Sequence, residues 1–592
     1  MIFFKLCLKM RVMQNKRLKS IPFYLSWILI AQSLSIIGFL STRTFPNVVR
    51  IVGKNLTASV FRGTEITAVI ASTVILLTAR AIRLKRRRAW IIATLLQGIL
   101  ILNSVIHGLI ELTFRHKDEE IALRSVGIPH LISEFLIFFL LIYFRKEFRT
   151  KSDIQTVMKS VFFFLQVYLI SFCVGLAFVG FDKKSFSVKP DFLQIVEITL
   201  KGLFGISSSV QYVNSRAELR TEYTLAALGL IIAITSTWQF LKPNTLKKKI
   251  NKQILNEIRA LLFRYPEHDS LAYFALRENK NFIWSKNMKA VISYSVINGV
   301  MVTTGDPIGD RASWPSAIEA FCVEAEDHAW IPAIYGCTEE AGLIWSRETG
   351  FESLEIGDEA VVMVNTFTLE GPEMKNVRQM VNQIMRKEYS TSIRRIAEID
   401  TAELQMLRNL AEKWRRGGSE RGFSMALGRF CDPIDPNLII SLAIKNGEPM
   451  GMLQFVPWGV DGLSLDSMRR SPNCDSGINE LLISDTITFA KSNSLNQISL
   501  NFATFRSIFE KGERLGASPI TRFTYNILVY ASRFFQMESL YRFNAKFHPI
   551  WTPRYILFPS IRNLMRVTLA ILMIESFIPV PKKAKAISLG GK

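Results

Sequence analysis

Asp466 and Arg469 stand at the end of an alternating run, Leu463-Ser-Leu-Asp-Ser-Met-Arg-Arg470. The alternation predicts a strand with Leu463, Leu465 and Ser467 on one face and Ser464, Asp466 and Met468 on the other. A carboxylate and a guanidinium this near each other either pair as a structural salt bridge or jointly hold a polar substrate. A second stretch, Tyr541-Arg-Phe-Asn-Ala-Lys-Phe-His-Pro-Ile-Trp-Thr-Pro-Arg-Tyr555, interleaves Arg542, Lys546 and Arg554 with Tyr541, Phe543, Phe547, Trp551 and Tyr555. Cations between aromatic faces suit a phosphate-bearing ligand that also stacks, such as an RNA end. An aromatic-packed loop with solvated charges is the alternative. Three further motifs stand out: Thr304-Gly-Asp-Pro-Ile-Gly309, Gly357-Asp-Glu-Ala360, and Gly422-Phe-Ser-Met-Ala-Leu-Gly-Arg-Phe430. In the first, Asp306 reads as a turn cap. Walker-type, Rossmann and Gly-x-Ser-x-Gly patterns do not occur, so kinase, dinucleotide and serine-hydrolase chemistry lack their residues. The six Cys are scattered without a Cys-x-x-Cys pair and His is as rare. Neither a metal site nor a disulfide framework is expected, and no cofactor.

The elements that must position these residues fall into two halves. The 592 residues carry 73 Lys plus Arg against 50 Asp plus Glu, a net +23, yet 49% are hydrophobic and 42 are Phe. Such a balance predicts a membrane region joined to a basic soluble region with a polyanionic partner, nucleic acid or an anionic membrane surface. After a basic cytoplasmic N-terminus at 1–20, six apolar runs are long enough to be candidate spans: 21–41, 66–79, 90–110, 130–144, 161–181 and 223–240. The run 192–206, interrupted by Glu197 and Lys201, reads as an interfacial or re-entrant helix. Lys/Arg blocks at 80–88, 145–151 and 242–252 share one side with the N-terminus, which makes that side cytoplasmic and places everything after 242 there.

The soluble half repeats one pattern. Strands at 290–294 and 300–304 flank an Asn298-Gly299 hairpin signal, and helices follow at 317–328 and 377–388. From 401 the order is helix 402–415, strands 438–444 and 450–457 around Asn446-Gly447, strand 462–468, helix 479–492 and strand 497–502. Two α/β domains of similar design are expected, 250–400 and 401–560, the second carrying the main site. A surface or membrane-associated helix and basic tail occupy 561–592.

These motifs, in this order, resemble the phosphatidylglycerol lysyltransferases, also called the multiple peptide resistance factor family. Gly305-Asp-Pro-Ile-Gly309, Gly357-Asp-Glu-Ala360, Ser424 to Phe430, Asp466-Ser-Met-Arg469 and Arg542 to Phe547 carry the resemblance. Pro457-Trp-Gly459, Ser499-Leu-Asn-Phe-Ala503 and the 538–547 segment bring it nearest to the synthase part of a form fused to lysyl-tRNA synthetase. The resemblance implies tandem GNAT-like acyltransferase domains on a membrane anchor of about six spans. It implies transfer of an aminoacyl group, lysyl first and alanyl or another as the alternative, from aminoacyl-tRNA to the glycerol hydroxyl of phosphatidylglycerol. The product would lower the negative charge of the membrane. With no fused synthetase in the chain, a separate one is expected to supply the charged tRNA, and six spans leave no room for a lipid-flipping module.

On that resemblance Asp466 is expected to hold the substrate α-amino group or orient the hydroxyl. Arg469 and Lys546 would face the lipid phosphate, the tRNA terminus or the developing oxyanion. Arg429 and Arg554 would bind phosphate, Glu480 a lysyl ammonium, and Tyr541 and Trp551 would bind substrate. Two other readings remain: a CoA-dependent membrane acyltransferase, which lacks a pyrophosphate-binding Arg/Gln-x-x-Gly-x-Gly/Ala run, and a non-enzymatic lipid-binding scaffold.

Overall fold

The computed structural model describes residues 21–41, 58–113, 120–148, 150, 154–206, 210–241, 252–266, 269–415, 422–504 and 537–578. The basic stretches at 1–20, 242–251 and 579–592 lie outside them. The chain divides into two bodies near residue 244.

The first body is helical: α1 (Ile21–Ser41), α2 (Ala58–Arg83), α3 (Arg87–Thr113), α4 (Glu120–Tyr143), α5 (Ile154–Phe181), α6 (Phe192–Leu203) and α7 (Ser215–Phe240). Among the described residues, two segments are long and apolar enough to cross a bilayer, Val157–Phe181 and Ser215–Phe240, where the sequence predicted six. α1 and α4 carry shorter apolar stretches, Ile21–Ser35 and Leu131–Tyr143. The uncharged run of α2 is cut short by Glu65 and Arg80, and that of α3 is diluted by Gln97 and Ser104. Helix α6, 12 residues long, spans only about 18 Å and is too short to cross. A capping box starts it: Gln194 N–H donates to Asp191 Oδ1 at 2.7 Å, and Asp191 N–H donates to Gln194 Oε1 at 3.1 Å. It packs on α7 at glycine, because a Cβ at Gly229 would stand 1.9 Å from the Leu203 carbonyl oxygen.

The second body opens with α8 (Lys252–Arg264) and builds one sheet. Its elements are β1 (Asn281–Trp284), β2 (Ala290–Ile297), β3 (Val300–Thr304), β4 (Ile308–Gly309), α9 (Trp314–Asp327), β5 (Ile331–Cys337), α10 (Glu339–Thr349), β6 (Glu352–Met363) and α11 (Lys375–Met385). There follow β7 (Tyr389–Arg395), α12 (Thr401–Arg415), β8 (Ile439–Lys445), β9 (Glu448–Trp458), β10 (Gly462–Arg470), α13 (Ile478–Ser492), β11 (Gln497–Thr504), α14 (Met537–Ala545), β12 (Ile550–Phe558) and α15 (Leu564–Ile574). Both Asn-Gly hairpins form with positive φ at each residue, 50° and 76° at Asn298-Gly299 and 53° and 79° at Asn446-Gly447.

The sheet runs β1-β2-β3-β5-β12-β6-β11-β10-β9-β8-β7, with β4 on β2. Each half lays down antiparallel strands, crosses over through a helix (α9 or α13), and returns parallel, β3 beside β5 and β10 beside β11. The last strand of each half then crosses into the other. β12 pairs with β5, β6 pairs with β11, and β12 and β6 pair with each other. Helices cover the sheet with Ile258, Leu407 and Val567 in one buried cluster and Val377, Leu481 and Ile487 in another. The exchange sets Arg554, on the final strand, among residues of the first half.

Candidate active site

The second half of the sheet opens where the first stays closed. β3 and β5 keep parallel register from Val300↔Ile331 to Thr304↔Tyr335, and Gly305 N–H extends the ladder to the Tyr335 carbonyl at 3.0 Å. β10 and β11 pair only from Gly462↔Gln497 to Ser464↔Ser499. Two irregularities follow at once. β10 bulges between Leu465 and Ser467, so Asp466 is the additional residue against β9. β11 loses register with β6 between Ser499 and Phe502, and Asn501 takes φ 66°. The Asn501 side-chain amide donates to the Leu465 carbonyl across the fork. The predicted alternation of 463–468 therefore holds to Leu465 and is reset at Asp466, the residue that starts the fork.

Asp466 is buried, 8% exposed. Its Oδ1 accepts from Leu427 N–H at 2.7 Å and its Oδ2 from the Gln454 side-chain amide at 2.5 Å. Gln454 also donates to the Arg429 carbonyl at 3.0 Å and accepts from Cys431 N–H at 2.8 Å. Strands β9 and β10 thus hold the Gly422–Phe430 motif against the fork. Its other end is held by Arg277, whose Nη1 donates to the Gly422 and Ala426 carbonyls at 2.9 Å each, and by Glu575, which accepts from Ser424 N–H at 3.0 Å. Arg469 lies past the bulge, half-buried, with Nη1 donating to the Met468 carbonyl at 3.3 Å.

One pair expected from the sequence to serve a common site meets directly. Lys546, just after α14, donates from Nζ to Glu480 Oε1 at 2.7 Å. Glu480, in the first turn of α13, is buried, while the Lys546 side chain is 38% exposed. Helix α13 runs back from the end of β10, so its first turn stands at the open end of the fork. α14 is tied to the same strands through Asn544, whose Nδ2 donates to the Leu500 carbonyl at 3.2 Å. Beside it the Tyr541 and Trp551 rings lie 4.9 Å apart at 35°.

Two expected phosphate ligands are placed elsewhere. Arg429 donates from Nε to Asp435 at 2.6 Å and from Nη1 to the Leu276 carbonyl at 2.9 Å. Arg259 and Tyr273 converge on the same fully buried Asp435. Arg554 is 1% exposed. It binds Glu359 through Nε at 3.1 Å and Nη2 at 2.5 Å, Asp269 at 3.3 Å, the Gly336 carbonyl at 3.1 Å and Ser270 Oγ at 2.9 Å. A phosphate would have to displace carboxylates from each guanidinium, so both arginines are corrected to framework roles. Glu359 also accepts from Ser499 Oγ at 2.5 Å, which ties this network to the base of the fork.

Asp306 does more than cap a turn. It accepts from Thr338 N–H at 2.9 Å and Thr338 Oγ1 at 2.7 Å, joining the end of β3 to the start of α10. Burial, then the neighbouring Asp269, pushes its carboxyl up to about 7, against the pull of Arg554. Lys280, fully buried, donates to Thr304 Oγ1 at 2.8 Å and lies 4.6 Å from the Phe423 ring. Burial, then Arg277, brings its ammonium down to about 7. Among the described residues no three His, Cys, Asp or Glu side chains are placed to hold a metal ion.

The sequence reading missed Gln454, Asn501, Arg277 and Glu575. Glu359 carried a signal: a carboxylate followed by Ala360-Val-Val-Met363 on one strand must be buried and must have partners. The others act through tertiary neighbours that no local pattern announces.

Antiparallel strands, a crossover helix and a parallel strand, laid down twice in one sheet and parting at a bulge in the second half, make this a tandem GNAT-like body. A sequence profile described as phosphatidylglycerol lysyltransferase, C-terminal, matches residues 259–558, and the chain belongs to that family. Relatives include the lysylphosphatidylglycerol biosynthesis bifunctional protein LysX of Rhodococcus opacus (strain B4), 42% identical over 326 residues, 55% of this chain and 29% of that protein. The protein of the same name from Nocardia farcinica (strain IFM 10152) is 39% identical over 356 residues, 60% of this chain and 32% of that protein. The chain thus spans about a third of the length of these relatives. Among solved structures, L-PGS from Bacillus licheniformis aligns with a TM-score of 0.49 at 20% identity, covering 56% of this chain and 98% of that one.

Proposed function

We propose that the chain is a membrane-anchored aminoacyltransferase that moves an aminoacyl group, lysyl foremost, from aminoacyl-tRNA to the glycerol hydroxyl of phosphatidylglycerol. The observation that carries this reading is the reach of the family match. Residues 259–558 take in both halves of the sheet, the fork, and the strand that exchanges between them. The relatives' names speak of lysylphosphatidylglycerol biosynthesis, and the +23 charge suits two polyanions, tRNA and anionic lipid.

The reaction is an ester exchange. The lipid hydroxyl oxygen attacks the aminoacyl carbonyl carbon, the bond to the tRNA ribose oxygen breaks, and the hydroxyl proton ends on that ribose oxygen. An ester is already activated, so catalysis needs positioning, a proton acceptor and charge stabilisation. Asp466, buried at the start of the fork, is the carboxylate that would hold an α-amino group or orient the incoming hydroxyl. Lys546, half-exposed and steadied by Glu480, supplies positive charge toward the lipid phosphate or the oxyanion. Glu480 thereby acts through Lys546 before it reaches a lysyl side chain. Arg469 lies on the same strand past the bulge for the anionic lipid, and the Tyr541–Trp551 pair offers a stacking face for the tRNA end.

The first body is read as a multi-pass membrane anchor with the N-terminus and the second body cytoplasmic, on the Lys/Arg blocks at 80–88 and 145–151. On that reading the fork faces the side where charged tRNA is made. The product carries less negative charge than its precursor, which weakens binding of cationic peptides. Expression in a host whose phosphatidylglycerol is unmodified tests the reading by lipid extraction. A new cationic, ninhydrin-reactive lipid is expected. A new zwitterionic aminolipid changes the donor to an alanine-like residue, and no new lipid from a well-expressed chain overturns the proposal.

A further inference from the structure

The 422–430 segment carries no helix and no strand ladder, so side chains must hold its backbone. At one end the holders belong to the fork. Leu427 N–H donates to Asp466, and Gln454 accepts from Cys431 N–H and donates to the Arg429 carbonyl. At the other end they come from distant stretches of chain. Arg277 donates to the Gly422 and Ala426 carbonyls, and Gly428, at φ 74°, leaves it room, since a Cβ there would stand 3.2 Å from Arg277 Cζ. Lys280 and Glu575 meet the two residues after Gly422. Lys280 Nζ lies 4.6 Å from the Phe423 ring centroid, and Glu575 accepts from Ser424 N–H at 3.0 Å.

Lys280 precedes β1 and Glu575 follows α15, and each is 1% exposed. A buried ammonium and a buried carboxylate are costly to keep charged unless each supports the other. Burial, then Arg277, opposes the Lys280 cation, while Glu575 and Asp269 favour it. Burial opposes the Glu575 carboxylate, while Ser424, Phe423 and Lys280 favour it. On β5, Tyr335 also faces Glu575. Lys280 donates to Thr304 Oγ1 at 2.8 Å, so the end of β3 anchors it in the first half of the sheet. Three residues past Ser424, Leu427 N–H reaches Asp466 Oδ1 at 2.7 Å. A shift of Phe423 and Ser424 therefore moves the donor that fixes one Asp466 oxygen.

We propose that Lys280 and Glu575 are positioning residues for the transfer reaction: as an ammonium and a carboxylate they fix residues 422–427, and through Leu427 N–H they set the direction of the Asp466 carboxylate. The inference rests on the reading of the fork as the transfer site. Lys280 holds the Phe423 face only as a cation. Its ammonium, brought down to about 7, gives up its proton near neutrality. Transfer therefore slows as pH rises through that value, because Asp466 loses its alignment. Glu575 favours the cation, so removing the charge of Glu575 moves this loss to lower pH.

The full chain, Lys280→Met and Glu575→Gln are each placed in phosphatidylglycerol nanodiscs, and kcat and KM for lysyl-tRNA are measured across neutral pH. The ratio of wild-type to variant kcat cancels titration of the substrate amines. Well below pH 7, Lys280→Met lowers kcat about tenfold, part of the roughly 100-fold that a 1 Å misplacement costs, and leaves KM unchanged. Well above pH 7 the two converge, because the wild-type lysine is then neutral as well. Glu575→Gln keeps an acceptor for Ser424 N–H, and its kcat falls at lower pH than that of wild type. It carries the test alone if Lys280→Met does not fold. A transferring wild type whose ratio to Lys280→Met stays constant with pH, or a Glu575→Gln profile that coincides with wild type, overturns this inference and leaves both residues as packing only. A wild type without transfer overturns the proposed function and this inference with it.

Discussion

Replacing Arg554 by Gln separates a framework arginine from a phosphate-binding one. Its guanidinium is buried between two carboxylates, Glu359 and Asp269, with Ser270 and the Gly336 carbonyl completing its donors. Burial opposes the charge, but Glu359, Asp269 and Asp306 more than restore it, so its pKa is raised. Removing the cation strands two carboxylates in a low-dielectric interior, and such a break costs about 3–5 kcal/mol. That is a large share of a typical total stability of about 5–15 kcal/mol. It corresponds to a fall of roughly 5–15 °C in the unfolding midpoint. Thermal unfolding of the detergent-solubilised chain, followed by intrinsic fluorescence, reads the shift. The double variant Arg554→Gln/Glu359→Gln removes one stranded charge and recovers part of the loss, which, with Glu359→Gln alone, makes the coupling visible in a double-mutant cycle. A midpoint within about 2 °C of wild type, together with abolished transfer, would refute the framework assignment and return Arg554 to substrate binding.

Three further outcomes follow from the geometry. Lys546→Met lowers kcat/KM for aminoacyl transfer by about 100-fold, and Glu480→Gln by less, because the lysine stays while its anchor loses charge; full activity in Lys546→Met contradicts the role given to it. Asp306 holds a proton in the fold up to about pH 7, against 3.8 for its ordinary value. Between those pH values the folded state binds the proton that the unfolded chain has released, so this group's contribution to stability falls as pH rises through the window and is flat above it. Asp306→Asn, which can still bond Thr338, removes that decline; an unfolding-midpoint difference from wild type that does not grow between pH 4 and 7 argues against it. Gly229→Ala drives a methyl into the Leu203 carbonyl, with 1.9 Å between the new carbon and the oxygen. It lowers the midpoint of the first body by several degrees, and an unchanged midpoint would show that α6 does not sit on α7 as described.

Local signals carried much of the second body. The Asn-Gly pairs at 298 and 446 mark both hairpins because two consecutive positive φ values admit few other residues. The strand at 300–304 and the helix ending at Ser492 fall where periodicity places them. The bulge at Asp466 was not legible, because an additional residue in one strand is defined only by the partner it slips against, here β9. Nor was the exchange of β6 and β12, since the neighbour a strand pairs with is set by tertiary contacts that its own residues do not name. Arg429 and Arg554 looked like phosphate ligands because their carboxylates lie far off in sequence or in unremarkable loops. Lys546 and Glu480 were read as members of one site and do meet, though 66 residues apart. In the first body, composition overstated the spans: two described segments meet the length and apolarity of a crossing helix, and polar residues interrupt others.

The most direct measurement is transfer itself. Purified full-length chain in phosphatidylglycerol nanodiscs is given lysyl-tRNA carrying radiolabelled lysine, and the lipid fraction is counted. The account predicts label in a phosphatidylglycerol derivative, dependent on the tRNA ester and abolished when the ester is hydrolysed beforehand, with Asp466→Ala folded but strongly impaired. Label entering lipid from free lysine, or none entering with lysyl-tRNA or with other aminoacyl-tRNAs, would contradict it.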